Sequence, residues 1–412
     1  MKENNNNIMN ELKNLIGVYF PSNEAEDFLT SLVNEVNESL VSSSELEQEA
    51  FDLDYELPSG VGYRMFIDRC VTKSEGLLTE ENFFNLLLEL SRTVQAVGEN
   101  DLSLELAQDL LNRIEVKNEY DLLKGDAYLM ISKIYWSQTY WEDCSYYIDE
   151  AMKIFSANSN ECGLAKCENM LGTLYGEQGN ITLAETHFEK ALTHLTGNDE
   201  SLLHSMILTN LGIINTIQGE YETSIWNYKN ALQKFDNQKD SRYIARTYHN
   251  IGMLYSRMGK YDAALDEFNK CITLSLDNNY LSNCAVAYIG KAFIYTKLKN
   301  SALADAYTDK ALEISCRIND TLTIADVYKI KGIIQASMEN FELSEEMFEN
   351  SIRLNRDIES KLNEAESCIE MGNLLKERQR EEESQHYFQS AVNYFKELKD
   401  KNMIAGLVEQ YS

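Results

Sequence analysis

Four residues in the stretch RTYHNIGMLYSR (246–257), Arg246, His249, Asn250 and Arg257, raise the first chemical question, together with Asn210 and Met253. Asn210 stands forty residues before Asn250. A carboxamide carries both a donor and an acceptor, which suits holding the backbone of an extended peptide; the alternative is a cap or a bond within the chain's own fold. A guanidinium captures a carboxylate bidentately, or pairs with an acid of its own chain. Met253, with Ile213 and Phe293, either receives a partner's apolar side chain or belongs to the core.

Other chemistries lack their residues. No GxGxxG opens a helix after a strand, and no GxxxxGK[ST], HExxH or GxSxG occurs. Nothing gathers any of the five histidines (His187, His194, His204, His249 and His386) over a nucleophile. The eight cysteines include no CxxC; the nearest, Cys162 and Cys167, are poorly spaced for chelation or redox work. They read as reduced, buried small hydrophobes. Paired acids such as EEES (381–384) read as solvated faces. No enzyme, metal or cofactor is expected.

The net charge of −30 repels phosphate backbones and anionic lipid, so neither nucleic acid nor a membrane is an expected partner. No run approaches the roughly 18 apolar residues of a membrane span, and the first residues do not read as a secretory signal. The expected compartment is the cytoplasm. Only two prolines occur, Pro21 and Pro58. A chain so poor in proline suits stacked helices with short connections.

Those helices must repeat. LGTLYGEQGNITLAETHFEKAL (171–192), LGIINTIQGEYETSIWNYKNAL (211–232) and IGMLYSRMGKYDAALDEFNKCI (251–272) align without a gap at a period of 40. The small residue of the first place recurs as Ser132, Gly172, Gly212, Gly252, Ala292, Gly332 and Gly372. A second small place runs Cys144, Ala184, Ser224, Ala264, Ala304, Ser344 and Ser384; a bulky place runs Ile148, Phe188, Tyr228, Phe268, Phe348 and Phe388, with Thr308 the exception. Each unit holds two amphipathic stretches around a polar turn, such as GEQGN (176–180). Small residues let two helices approach, aromatics fill the space beside them, and stacking covers the apolar side no single pair can cover.

This pattern resembles the tetratricopeptide repeat, carried by Leu171, Gly172, Tyr175, Ala184, Phe188 and Ala191 and again by Ile251, Gly252, Tyr255, Ala264, Phe268 and Cys271. The usual unit has about 34 residues and a proline near its end. Here Ser156, Thr196, Asp236, Leu276, Cys316, Arg356 and Lys396 stand in the proline's place. Forty-residue variants are similar to those of peptide-pheromone receptors of Gram-positive bacteria and of kinesin-light-chain and Pins-type adaptors. The resemblance implies an all-α fold: a right-handed superhelical α-solenoid of helix pairs behind an N-terminal helical module. The expected divisions are an acidic helical module at 1–84, a degenerate first repeat or cap at 85–124, seven units at 125–404 and a cap or tail at 405–412. At 85–124 Arg92 replaces the first small residue and Leu104 the second.

The resemblance also implies which places face the concave groove: the second, fifth, sixth, ninth, twelfth and thirteenth, counting Gly172 as the eighth. That set holds Lys166, Asn169, Thr209, Asn210, Ile213, Arg246, His249, Asn250, Met253, Arg257, Phe293, Lys297 and Lys329, the expected peptide-binding residues. It also takes in Ile289, Asp326, Ile333 and Glu366. With the sixth place left out, seven basic residues face five acidic ones, a mildly positive groove on a strongly negative chain. The function implied is a scaffold or adaptor for an extended acidic or C-terminal peptide. The alternative is a peptide-responsive regulator whose N-terminal helices engage an effector.

Before residue 85, NELKNLIGVYF and AEDFLTSLVNEVNESLV read as amphipathic helices, and ELPSGVGYRM (56–65) as a loop. The acidity of this region speaks against a DNA-binding module and leaves a protein-binding module or a structural cap. In YLMISKIYWSQTYWEDCSYY (128–147), Trp136, Tyr146 and Tyr147 are surplus to the repeat and suit a partner surface.

Overall fold

The computed structural model describes residues 12–42, 61–96, 99–138, 140–195, 202–238, 240–278, 280–318, 320–358 and 360–397. The Asn run at 4–7, Pro58 and the expected tail at 405–412 lie outside the described residues. Among the described residues every regular element is helical. In chain order these are α1 (12–19), α2 (Ser22–Ser42), α3 (Val61–Leu77), α4 (Glu80–Ala96), α5 (Asn100–Ile114), a short 3₁₀ turn, α6 (Asp121–Ser137), α7 (Trp141–Ala157) and α8 (Glu161–Glu177). There follow α9 (Ile181–His194), α10 (Leu202–Gln218), α11 (Tyr221–Gln238), α12 (Ser241–Arg257), α13 (Tyr261–Asp277), α14 (Leu281–Lys297), α15 (Ser301–Arg317), α16 (Thr321–Ser337), α17 (Phe341–Asp357), α18 (Lys361–Glu377) and α19 (Glu381–Glu397). The chain forms two compact units, Met1–Cys167 and Glu168–Ser412, divided within α8. The boundary expected at residue 84 falls inside α4 instead.

Within the first unit, α1 to α6 share one core that runs from Leu12 and Ile16 through Phe66 and Ile67 to Ile131 and Ile134. The loop expected at 56–65 is corrected in its second half, because α3 begins at Val61. Gly62 costs that helix about 1 kcal/mol in propensity. Burial of Tyr63, Phe66, Ile67 and Cys70 on one face outweighs it. The α4–α5 pair obeys the repeat one residue out of frame. Ser91 Oγ donates to Ser103 O at 2.9 Å, and Ser103 Oγ to Ser91 O at 2.8 Å. Ser224, Ser344 and Ser384 make the same bond to the carbonyls of Gly212, Gly332 and Gly372, each at 2.8 Å. Ser91 and Ser103 therefore hold the two small places, and one extra residue before Ser132 made Arg92 and Leu104 look like replacements.

In the second unit each hairpin explains its own glycine. A Cβ on Gly172, Gly212, Gly252 or Gly332 would lie 2.6 Å from the ring of Phe188, Tyr228, Phe268 or Phe348. Where the bulky place holds Thr308, the small place is free to be Ala292. Glycine and ring are one device: the ring takes the volume that a side chain would need. The first helices of the units end where the fifteenth place turns left-handed, at Gly179, Gly219 and Gly259 but also at Lys299, Glu339 and Gln379. The next amide then closes the helix, as Lys260 N does on Tyr255 O at 2.9 Å. Side chains of Asn180, Asp240, Asn300 and Asp320 cap the helices that follow them.

Candidate functional site

The first helices of successive hairpins, α10, α12, α14, α16 and α18, touch one another in order. A cavity of about 450 Å³ lies across the last four, and every residue lining it stands at the second, fifth, sixth or ninth place of its repeat. Met253, Ile289, Phe293, Ile330, Ile333 and Ile369 make it apolar, with Val286 and Gly290 beside them. His249, Asp326, Lys329, Glu366 and Glu370 supply its polar groups. The volume is within the roughly 300–1,000 Å³ of ligand sites.

Its acidic wall is built by α16 and α18. Lys329 Nζ lies 2.8 Å from Glu366 Oε2 and 3.1 Å from Asp326 Oδ1. Burial pushes the Lys329 ammonium down, but the two acids outweigh it and hold it charged above the usual lysine range. Burial raises the Asp326 carboxyl against the pull of Lys329. It also raises Glu370, which Lys329 and Lys297 only partly offset. Three acids thus face one lysine here.

On α12, burial first and Arg246 second press His249 down to about 4, so its imidazole is neutral near pH 7. The ring leans on Phe268 with centroids 5.6 Å apart. Its Nδ1 and the neighbouring Asn250 Nδ2 are buried without a hydrogen-bond partner among the described residues. Arg246 and Arg257 are exposed on this helix and make no ion pair among the described residues. Arg246 still lowers the Glu177 carboxyl, which burial raises.

The cavity gathers four of the expected peptide-binding residues: His249, Met253, Phe293 and Lys329. Lys297 lies beside it, its ammonium 5.1 Å from the centre of the Phe293 ring. Asn210 Nδ2 donates to Asn169 Oδ1 at 3.1 Å, so these two amides hold each other. Ile213 packs beside Tyr228, Ile251 and Leu254. Two of the expected residues engage partners within the chain. Thr209 is buried and its hydroxyl donates to Ser205 O at 2.9 Å. Lys166 pairs with Asp126 at 2.7 Å one repeat back, as acid and lysine share the second place of adjacent helices. Tyr147 is likewise no open surface: it stacks on Tyr135 with centroids 5.6 Å apart, while Tyr146 stays exposed. Trp136 Nε1 is buried without a partner.

Val286, Gly290, Ile330, Ile369 and Glu370 escaped the sequence reading. All obey the frame, and Glu370 sits at the sixth place, which the charge count omitted. Lys291 and Lys331 were also missed. They replace the apolar residue before the small place: Lys291 bonds Asn269 at 2.8 Å, and Lys331 bonds Asp305 at 2.8 Å and Asp309 at 2.6 Å. Cys162 and Cys316 are exposed, against the expectation of burial. Burial raises the Cys70, Cys144, Cys271 and Cys368 thiols to about 12, which leaves them inert at neutral pH. No trio of histidine, cysteine or acid among the described residues could hold a metal ion, and none of their helices is long and apolar enough to cross a membrane.

Two tetratricopeptide-repeat family models match the chain, at residues 203–277 and 169–193. No curated protein sequence matches it. Among solved structures it is similar to a Rap protein complexed with Competence and Sporulation Factor, with TM-score 0.63 and 13% identity over 91% of this chain and 99% of that one. Aspartyl phosphate phosphatase F from Bacillus subtilis gives TM-score 0.55 and 13% identity over 94% of both chains. The apo form of RapI gives 0.53 and 14% over 67% of this chain and 99% of that one. Likeness at such identity speaks for the fold alone. The chain carries tetratricopeptide repeats at residues 169–193 and 203–277, and its fold resembles that of the Rap proteins.

Proposed function

We propose that the second unit is a receptor for an extended peptide lying along α12 to α18. The observation that carries the reading is the largely apolar cavity of about 450 Å³ laid across α12, α14, α16 and α18, with His249 Nδ1 and Asn250 Nδ2 on α12 without a hydrogen-bond partner among the described residues. Asn250 would donate to a peptide carbonyl, the apolar lining would take side chains, and Arg246 and Arg257 would take a carboxylate. With a net charge of −30, nucleic acid is not the partner.

The test is a screen of short synthetic peptides against the wild type and Arg246→Glu/Arg257→Glu. Hits weakened in the double variant, with an unchanged helical circular dichroism spectrum, support the reading. No hit, or equal binding by both proteins, overturns it.

A second reading makes binding regulatory, with the helices before residue 85 engaging an effector. Its support is that the likeness to the Rap protein bound to a factor extends over 91% of this chain. Small-angle scattering with and without a peptide hit decides between a switch, which changes its dimensions, and a passive scaffold, which does not.

A further inference from the structure

The cavity and the α12 arginines differ in sign, and that difference sets a direction. Within the cavity Asp326, Glu366 and Glu370 meet one lining ammonium, Lys329, which already touches both Asp326 and Glu366, while Lys297 stands beside the cavity near Glu370. Glu370 has no ion pair among the described residues. Burial raises both Asp326 and Glu370, so each carboxylate lacks the solvation it would have in water. A cation arriving there restores what burial removed. An apolar floor of Phe293, Ile333 and Ile369 adjoins the acids, and His249, with its unpartnered Nδ1, lines the same space.

Resting on the peptide-receptor reading above, we propose that the cavity seats a cationic group of the peptide against Glu370, with an apolar neighbour on Phe293 and Ile333. The peptide then runs from its cationic end at α16–α18 to its carboxylate at Arg246 and Arg257 on α12. The cation has two sources, a free amino terminus or a lysine side chain. A primary ammonium suits the site because Lys329 itself shows the geometry, donating to two acids at once. The opposite orientation would bring a carboxylate against three others and a cation against Arg246 and Arg257.

The experiment takes the full chain and the hits of the short-peptide screen. Each hit is remade with an acetylated amino terminus and, separately, with every lysine changed to norleucine, and all forms are titrated into wild type, Glu370→Gln and Glu370→Lys. Removing the seated cation is expected to weaken wild-type binding roughly tenfold. Glu370→Gln narrows that ratio several-fold, and Glu370→Lys abolishes it. Loss on acetylation identifies the amino terminus as the source; loss with norleucine identifies a side chain. Hits that bind equally well with every cation removed, or that bind all three proteins alike, overturn this inference while the receptor reading stands. A screen with no hits removes both.

Discussion

The α12 and α16–α18 portions of the inner layer share one frame and present opposite chemistry. On α12 the second and thirteenth places hold Arg246 and Arg257, exposed and without an ion pair among the described residues. On α16 and α18 the second places hold Asp326 and Glu366, the fifth holds Lys329 and the sixth Glu370, packed around a cavity. A repeat therefore fixes where a side chain stands and leaves its charge state to its neighbours on the next helix.

The contrast breaks most visibly at its two lysine-and-arginine ends. Lys329→Met leaves half-buried Asp326 beside two acids with no cation between them and is expected to cost about 2 kcal/mol. Arg246→Met is expected to change stability by less than about 0.5 kcal/mol. Urea unfolding of the two variants checks the pair, and equal losses would erase the distinction between committed and uncommitted cations.

His249 gives a comparable effect through pH. Its folded value of about 4 lies below the ordinary 6.5, so between those values the unfolded chain binds the proton and the folded chain does not. The stability is present above pH 6.5 and is lost as pH falls toward 4, by about 3 kcal/mol from this residue. His249→Phe is expected to flatten the stability profile across that window, measured by denaturant melts at several pH values.

A smaller effect separates neighbouring hairpins. Gly252→Val drives a side chain into the Phe268 ring and is expected to cost about 3 kcal/mol or somewhat less. Ala292→Gly, over Thr308, costs about 1 kcal/mol from helix propensity alone. Smallest is Glu339→Gly, which relieves a left-handed residue at φ 62° and should gain about 1 kcal/mol in thermal melts.

The fold was legible because packing constraints repeat with the chain. Gly252 and Phe268 can be read as partners from spacing alone, since one exists to admit the other. The α4–α5 hairpin was blurred by a single extra residue, which a rigid period of 40 converts into a run of apparent mismatches. α3 was hidden because Gly60 and Gly62 signal a turn while the apolar face that decides the helix lies further on. The candidate site was legible in position and illegible in charge. Lys166 and Lys329 look like groove cations until their acids are found 40 and 37 residues away, on adjacent helices. A count along the chain sees the lysine and not the pairing.

The most direct test of the account is the affinity of one peptide hit for the wild type, Arg246→Glu/Arg257→Glu and Glu370→Lys. The account predicts that both charge reversals weaken binding, the first relieved when the ligand's carboxylate end is amidated and the second when its cation is removed. Wild-type affinity in both variants would contradict it.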